Sequence, residues 1–275
     1  MKFGINQWCF PAGTELEQIF AQAGEAGFDG VELNLLPEGE KGLTMASDDQ
    51  EVRKIADLAR RYGMPIPSIA TGLHWNFPLT SPDPEVRATG RRVVEKMLHV
   101  AALVGADTVL VVPGLVTGET SYDQAFALAR EALRGLAPVA EKHQVHIGVE
   151  NVWNKFLPSP LEFAGFVDAI GSPCVGAYFD VGNVLAFGFP EQWIRILGKR
   201  IRKVHVKDFR PEIGNILGFT SLLNGEVNWP QVAVALAEIG YADFVTAELA
   251  PYRFYPEQLI PDTAAHLRRI FGKMA

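Results

Sequence analysis

Metal-ligating residue types stand near the ends of four apolar, strand-like runs in the second half of the chain. V-H-I-G-V-E-N carries Glu150, C-V-G-A-Y-F-D ends on Asp180, I-R-K-V-H-V-K-D carries His205, and F-V-T-A-E-L carries Glu248. Near-continuous apolar runs of this kind are typical of buried parallel strands. Each polar residue alone could merely cap its strand. Together, three carboxylates and an imidazole form a ligand set that suits a divalent metal such as Mn²⁺ or Mg²⁺.

Such a ligand set predicts proton transfer on a carbohydrate. A divalent ion held by oxygen and imidazole ligands can bind two neighbouring sugar oxygens and stabilise an enediolate as a Lewis acid. Removal of a proton next to a carbonyl also requires a base. Glu150 and Glu248 come from separated strands and can therefore flank a bound sugar. Reprotonation on the opposite face would be epimerisation, whereas relay to the neighbouring carbon would be aldose–ketose isomerisation.

Composition favours a globular protein and argues against several classes of function. Of the 275 residues, 48% are hydrophobic and 21% are charged, which is enough for a large core. The net charge of −7 argues against a nucleic-acid partner, because phosphate binding requires a basic surface. Cys9 and Cys174 lie far apart and suggest no disulfide framework. No signal-peptide core or membrane-length apolar run is visible, so we expect a cytoplasmic protein without membrane contact.

Strand-like and helix-like patterns alternate along the chain. The T-E-L-E segment from Thr14 and the S-D-D-Q segment from Ser47 have capping-box spacing, and Asp83-Pro84 is a favourable pair for a helix start. A helix-like run follows each strand-like run. The strand-like runs cover residues 2–7, 30–33, 67–70, 108–112, 145–151, 175–179, 201–206 and 244–249.

This alternation predicts an α/β protein, a single (β/α)₈ TIM barrel that occupies residues 1–275 as one domain. Repeated βα units require parallel strands with crossover helices, and eight units favour a closed barrel over the alternative of an open, doubly wound sheet. Barrel enzymes carry their chemistry at the C-terminal ends of the strands. The four ligand candidates would converge there from strands five to eight.

Four motifs in this order resemble those of a known family. G-V-E-N, Y-F-D-V-G-N, V-H-V-K-D and T-A-E-L are similar to the motifs of the sugar phosphate isomerase/epimerase superfamily, the xylose isomerase-like TIM barrels. The D-V-G-N segment looks most like ketose-phosphate 3-epimerases and hexulose-phosphate or hydroxypyruvate isomerases. The resemblance implies that Glu150, Asp180, His205 and Glu248 bind the metal and that the two glutamates form the acid/base pair. It also implies a small carbohydrate substrate, a homodimer or homotetramer, and Mn²⁺ or Mg²⁺, with Co²⁺ or Zn²⁺ as further options.

The chain departs from parts of this family at one informative position. Relatives that act on free ketohexoses, and the DNA-repair endonucleases of the superfamily, carry histidine three residues after the strand-six aspartate, where this chain has Asn183. The segment after Asp208 also lacks the D-x-H pair of the endonucleases. These departures, together with the acidic charge, therefore argue against DNA repair.

Further polar and aromatic residues are predicted near the same face. Lys207 alternates with His205 along its strand, so it faces the site and can neutralise the carboxylates, bind substrate or tether Asp208. Arg210 can hold a phosphate or a hydroxyl, and Glu32 can hold Lys207 or a substrate hydroxyl. The alternatives are a surface-loop His74, a solvated Arg210 and a packed Trp8. The candidates for substrate contact are His74, Asn183, Lys207, Arg210, Asn6, Trp8, Asn151 and Trp153, with Glu32 and Asp208 as supporting carboxylates.

The predicted activity is metal-dependent 3-epimerisation of a ketose or ketose phosphate. The alternatives are 1,2 aldose–ketose isomerisation of the hydroxypyruvate or hexulose-phosphate type, inosose dehydration by a lyase on the same scaffold, and sugar binding without turnover. No G-x-G-x-x-G or Walker loop indicates a nucleotide cofactor. The long segment 209–228 contains the apolar run I-L-G-F-T-S-L-L, which predicts a lid or a subunit contact.

Overall fold

Eight parallel strands close into a barrel in the computed structural model, which describes residues 1–272. We number them β1 to β8 in chain order, and each pairs with its sequence neighbours. The first and last strands also pair, with Gly4 opposite Thr246, so the sheet has no open edge. This closure confirms the predicted (β/α)₈ barrel and excludes the open sheet. The strands are Lys2–Asn6, Gly30–Asn34, Ser68–Ala70, Thr108–Val111, His146–Glu150, Val175–Asp180, Ile201–Val206 and Phe244–Ala247.

Among residues 1–272, eight longer helices, numbered α1 to α8, follow the strands in turn, and a four-residue helix, Val181–Val184, directly follows β6. Asp83 caps the third helix by accepting from the Glu85 amide, with Pro84 in the first turn, as predicted. Within residues 1–272, none of the helices combines the length and apolar character that a bilayer crossing requires. The helices are Leu16–Ala26, Asp49–Arg61, Pro84–Val104, Tyr122–His143, Pro160–Ile170, Pro190–Leu197, Trp229–Glu238 and Leu259–Phe271.

Two predicted helix caps are wrong, each by one residue. The Thr14 hydroxyl donates to the Pro11 carbonyl within a turn, so α1 begins after Glu15. Asp48, rather than Ser47, forms the capping box of α2 together with Glu51. In both segments the predicted capping hydroxyl is already used in the preceding turn, by Thr14 with the Pro11 carbonyl and by Ser47 with the Thr44 amide, and Glu15 makes no side-chain cap bond.

A lysine closes the N-terminal end of the barrel, opposite the predicted site. The Lys203 side chain is only 1% exposed, and its ammonium lies 2.7 Å from Asp107 and 2.5 Å from Asp243. These aspartates precede β4 and β8. The buried positive charge of Lys203 is therefore balanced by two carboxylates at the starts of β4 and β8.

The segment between β7 and α7 forms a small antiparallel ribbon over the C-terminal end. Asp208–Phe209 pairs with Phe219–Thr220. Asp208 is fully buried, accepts from the amides of Phe209 and Val227, and accepts from the Trp229 indole at 2.9 Å. Asp208 thus anchors both ends of this segment and is not tethered by Lys207. The turn between the two short strands exposes apolar side chains toward the barrel mouth.

Candidate active site

The four ligand candidates meet at the C-terminal ends of β5 to β8. Glu150 and Asp180 are the last residues of β5 and β6, His205 lies opposite Asp180 in β7, and Glu248 directly follows β8. One ligand atom from each residue lies within 4.8 Å of those from the other three. The His205 Nδ1 atom is 3.6 Å from Glu248 and 3.9 Å from Glu150. The structure therefore brings together all four residues that the sequence singled out.

Glu32 orients His205 from the buried interior of the barrel. Its Oε1 atom lies 2.6 Å from His205 Nε2, and its Oε2 atom accepts the hydroxyls of Ser68 at 2.6 Å and Tyr178 at 2.5 Å. The Asn6 amide donates to the same carboxylate at 2.6 Å. A proton on Nε2 satisfies the Glu32 contact. Burial alone would lower the pKa of His205, but the charges of Glu32 and Glu248 raise it well above its usual value, so without metal Nδ1 is also protonated, and a bound cation would replace that proton.

This arrangement corrects the predicted role of Glu32. The carboxylate was expected to hold Lys207 or a substrate hydroxyl, but it is completely buried among protein donors. Asn6 was predicted to contact the substrate, but it is fully buried, bonds to Glu32 and does not line the open C-terminal face of the barrel.

Lys207 bridges two of the ligand candidates. Its ammonium lies 2.8 Å from Asp180 and in closer contact with Glu248, so the cation neutralises a ring of carboxylates. Gly182 makes room for this lysine, because a Cβ at that position would lie 2.6 Å from both the Lys207 Cγ atom and its carbonyl oxygen. The glycine of the D-V-G-N motif is thus required because the short helix after β6 approaches the backbone that follows β7.

Two asparagines fix the end of β6. Asn151 bonds to both the amide and the carbonyl of Asp180, each at 2.8 Å. Asn183 donates its side-chain amide to the Asn151 carbonyl, and its backbone amide donates to the Asp180 carboxylate at 2.7 Å. These contacts explain both asparagines as positioning residues for Asp180, while Asn183 also reaches the open cleft.

The two glutamates of the cluster differ in their proton affinity. Burial, with a further contribution from Glu248, raises the pKa of Glu150 to about 8. Burial alone would also raise the pKa of Glu248, but the charges of Lys207 and His205 outweigh it and hold that pKa well below its usual range. Carboxyl groups with opposite shifts in one site are suited to complementary acid and base roles.

The donor set fits a divalent cation. Among residues 1–272, His205 Nδ1 is one of few buried side-chain nitrogens without a hydrogen-bond partner, and it lies within 4 Å of the carboxylates of Glu248 and Glu150. An ion bound at about 2.1 Å places its ligand atoms within about 4.2 Å of one another, close to the observed spacing. Three oxygens and one imidazole nitrogen suit Mn²⁺ or Mg²⁺, and a bound cation would lower the pKa of every group around it.

A cleft of about 1000 Å³ opens directly above the cluster. We call it the mouth cleft. Glu150, Lys207 and Glu248 lie at its floor. Trp153 donates its indole N–H to the Asn183 carbonyl at 2.8 Å and packs against Phe219 with ring centroids 5.0 Å apart, which fixes one wall. Its main apolar walls are formed by Trp8, Trp75, Trp153, Phe219, Ile216 and Leu217.

Two predicted substrate contacts lie away from the mouth cleft. His74 is buried, with Nε2 3.3 Å from the Leu110 carbonyl, and burial lowers its pKa to about 4. The Arg210 guanidinium bonds to the carbonyl and side chain of Asn224. Neither residue lines the cleft. His74 is turned inward by the short helical turn Leu73–Trp75, so its neighbour Trp75 reaches the cleft instead.

Sequence reasoning missed the residues that depend on long-range folding. Ser68 and Tyr178 complete the Glu32 network, and Phe219 and Leu217 complete the cleft wall. The alternation of β6 places Tyr178 on the same side as Asp180, which was a usable signal. Leu217 and Phe219 belong to the apolar run for which a lid or a subunit contact was predicted, but no local pattern indicates which part of the barrel that run covers.

Comparisons with known proteins agree with this architecture. The family model for the xylose isomerase-like TIM barrel matches residues 20–270. The L-ribulose-5-phosphate 3-epimerase UlaE of Salmonella typhi is 27% identical over 240 residues, 86% of this chain and 83% of that protein. A D-psicose 3-epimerase structure has a TM-score of 0.80 at 18% identity, covering 99% of this chain and 100% of that one. An L-ribulose 3-epimerase structure has a TM-score of 0.80 at 20% identity, covering 99% and 95%. The chain therefore belongs to the xylose isomerase-like TIM barrel family.

Proposed function

We propose that this protein is a divalent-metal-dependent sugar epimerase that inverts C3 of a ketose or ketose phosphate. The observation that carries the proposal is the convergence of Glu150, Asp180, His205 and Glu248 around the unpartnered Nδ1 of the histidine. The similarity to UlaE, an enzyme named for 3-epimerisation, supports the choice of reaction.

Glu150 and Glu248 are the proposed acid/base pair. They project from β5 and from the end of β8, and β6 and β7 lie between them in the barrel wall. A ketose seated between them presents opposite faces of C3 to the two carboxyl groups. One glutamate removes the C3 proton and the other returns a proton to the opposite face, which inverts the centre.

The other residues of the cluster have supporting roles. Asp180 and His205 complete the ligand set, and Lys207 offsets the negative charge of Asp180 and Glu248. When bound, Mn²⁺ or Mg²⁺ would neutralise the charge that develops on the two neighbouring oxygens of the sugar. Trp8 and Trp153 line the cleft above the cluster and would flank the bound sugar.

Solvent exchange at carbon distinguishes this reaction from its alternatives. The protein, loaded with Mn²⁺ or Mg²⁺ in D₂O, is incubated with a panel of ketoses and ketose phosphates and followed by proton NMR. A 3-epimerase exchanges hydrogen at C3 and produces the epimer. Exchange at C1 or C2 would instead establish an aldose–ketose isomerase, and an ultraviolet-absorbing enol or dione would establish a dehydratase.

Variants of the two glutamates complete the test. Glu150→Gln and Glu248→Gln should each abolish epimer formation while circular dichroism shows an intact fold. Either change removes the carboxyl group that transfers the proton on one face of C3. Full activity in either variant would contradict the two-glutamate assignment. The cytoplasmic location and the homodimer or homotetramer stay predictions.

A further inference from the structure

The mouth cleft is much larger and more apolar than the reacting part of a ketose requires. Its volume of about 1000 Å³ lies at the upper end of the range of about 300–1000 Å³ for sites that enclose drug-sized ligands. Only its floor carries the polar groups that hold and deprotonate a sugar. Above them the walls are aromatic and aliphatic, so the cleft has room for a second, non-sugar part of the ligand.

The same cleft offers no cation for a phosphate. Among the described residues that line it, Lys207 is the only cation, and its ammonium is already held by Asp180 and Glu248. Arg210 is bonded to Asn224 and lies outside it. A phosphate dianion placed above the cluster would face carboxylates and apolar walls, which is costly in a partly desolvated site.

The apolar lining continues from the floor to the rim. Leu217 and Trp75 are 79% and 48% exposed and stand at the rim, where they line the cleft together with the rigid Trp153–Phe219 wall. Large exposed apolar side chains that border a concave site favour binding of an apolar group. A planar ring seated there would contact the faces of the tryptophans.

We propose that the substrate is an uncharged sugar that carries an apolar substituent, an aryl or long alkyl group, which occupies the mouth cleft between Trp75, Trp153 and Leu217. This inference rests on the proposed function in one respect, because it places the reacting carbon at the glutamate pair. It adds the substrate class: a ketose with a free carbonyl that carries the apolar group as an ether away from that carbonyl, in place of a sugar phosphate.

Two matched pairs of probes test this inference by calorimetry on the Mn²⁺-loaded protein. The 6-O-phenyl and 6-O-methyl ethers of D-fructose keep the ketone and differ only in the apolar group, and D-ribulose 5-phosphate and D-ribulose differ only in the phosphate. We expect the phenyl ether to bind at least about tenfold more tightly than the methyl ether, since a pocket gains about tenfold or more for a few buried carbons. D-ribulose 5-phosphate should bind no more tightly than D-ribulose.

A pair of surface variants assigns the effect to the cleft. Leu217→Asp introduces a charge at the rim and should remove most of the phenyl preference. Leu161→Asp makes the same change at a leucine in the first turn of α5 that is 72% exposed and lines no part of the cleft, and it should leave the preference unchanged.

The outcomes separate this inference from the proposed function. Equal affinity for the two ethers, or no measurable binding of the phenyl ether at millimolar concentration, would overturn the inference even if ketoses exchange at C3. Tighter binding of D-ribulose 5-phosphate that is lost in Arg253→Gln would also overturn it, by assigning a phosphate to the neighbouring recess that Arg253 lines. A phenyl preference without any carbon exchange would uphold the apolar binding site in the mouth cleft and contradict the epimerase.

Discussion

Replacement of Glu32 by glutamine isolates the contribution of the buried network to metal binding. The Glu32 carboxylate receives four donors on its two oxygens, from Asn6, Ser68, Tyr178 and His205. Burial would raise its pKa, but the His205 charge and these hydrogen bonds hold the pKa below its usual value, so the group is ionised. Glutamine keeps the shape, removes the charge and turns one of the two acceptor atoms into a donor.

The expected loss of metal affinity follows from the hydrogen bond between Glu32 and His205. A hydrogen bond to a charged group contributes about 1.5–3 kcal/mol and a neutral one about 0.5–1.5, so the imidazole loses about 1–2 kcal/mol of support. That loss corresponds to about five- to thirtyfold weaker metal binding. It agrees with the range of about 10–100-fold that partners of metal-ligating histidines commonly contribute.

The assay is a titration of the metal-free protein with Mn²⁺, followed by electron paramagnetic resonance or calorimetry. Glu162→Gln is the matched control, because that glutamate also accepts a tyrosine hydroxyl, from Tyr122 at 2.6 Å, but lies on α5 away from the cluster. We expect weaker binding only in Glu32→Gln. Unchanged Mn²⁺ affinity in a folded Glu32→Gln protein would refute the argument that Glu32 sets the histidine tautomer.

Three further variants probe other parts of the structure. Burial depresses the pKa of His74 to about 4, so the folded protein keeps this side chain neutral while the unfolded chain protonates it below about pH 6.5. The free energy of unfolding should therefore fall by up to about 3 kcal/mol as the pH decreases from about 6.5 towards 4. In urea unfolding, His74→Gln should show a smaller change of this free energy with pH over the same range. Gly182→Ala should destabilise the protein by about 1–3 kcal/mol and weaken Mn²⁺ binding, since the new methyl group displaces Lys207; a variant with unchanged melting and affinity would contradict that packing. Lys203→Met should lower the free energy of unfolding by about 1 kcal/mol, a small effect because solvent screens the two partly exposed aspartates. It should leave Mn²⁺ affinity unchanged. Altered metal binding would mean that the two ends of the barrel are coupled.

The barrel and its four converging side chains could be predicted because the relevant signals are local. Each apolar run specifies a buried strand, and a carboxylate at its end must lie at the rim of a parallel sheet. Closure of the barrel then brings the ends of β5 to β8 together without any further information. Glu150, Asp180, His205 and Glu248 are therefore readable from periodicity and order along the chain.

The remaining features depend on contacts between distant parts of the chain. Glu32 meets Tyr178 across 146 positions and His205 across 173, and no local pattern distinguishes these partners from Lys207. The helices α1 and α2 begin one residue later than predicted because the hydroxyls of Thr14 and Ser47 bond within the preceding turns instead. The inward orientation of His74 likewise follows from a single helical turn that its sequence does not specify.

The origin of the C3 hydrogen in the product tests the central claim most directly. With a ketose that the protein converts, the reaction is run in D₂O and stopped at low conversion, and the product is analysed by NMR and mass spectrometry. Proton transfer by Glu150 on one face and Glu248 on the other predicts one solvent deuterium at C3 in essentially every product molecule. Product that retains the hydrogen of the substrate at C3 would contradict the two-glutamate account, because it would require a single group to carry the proton between both faces.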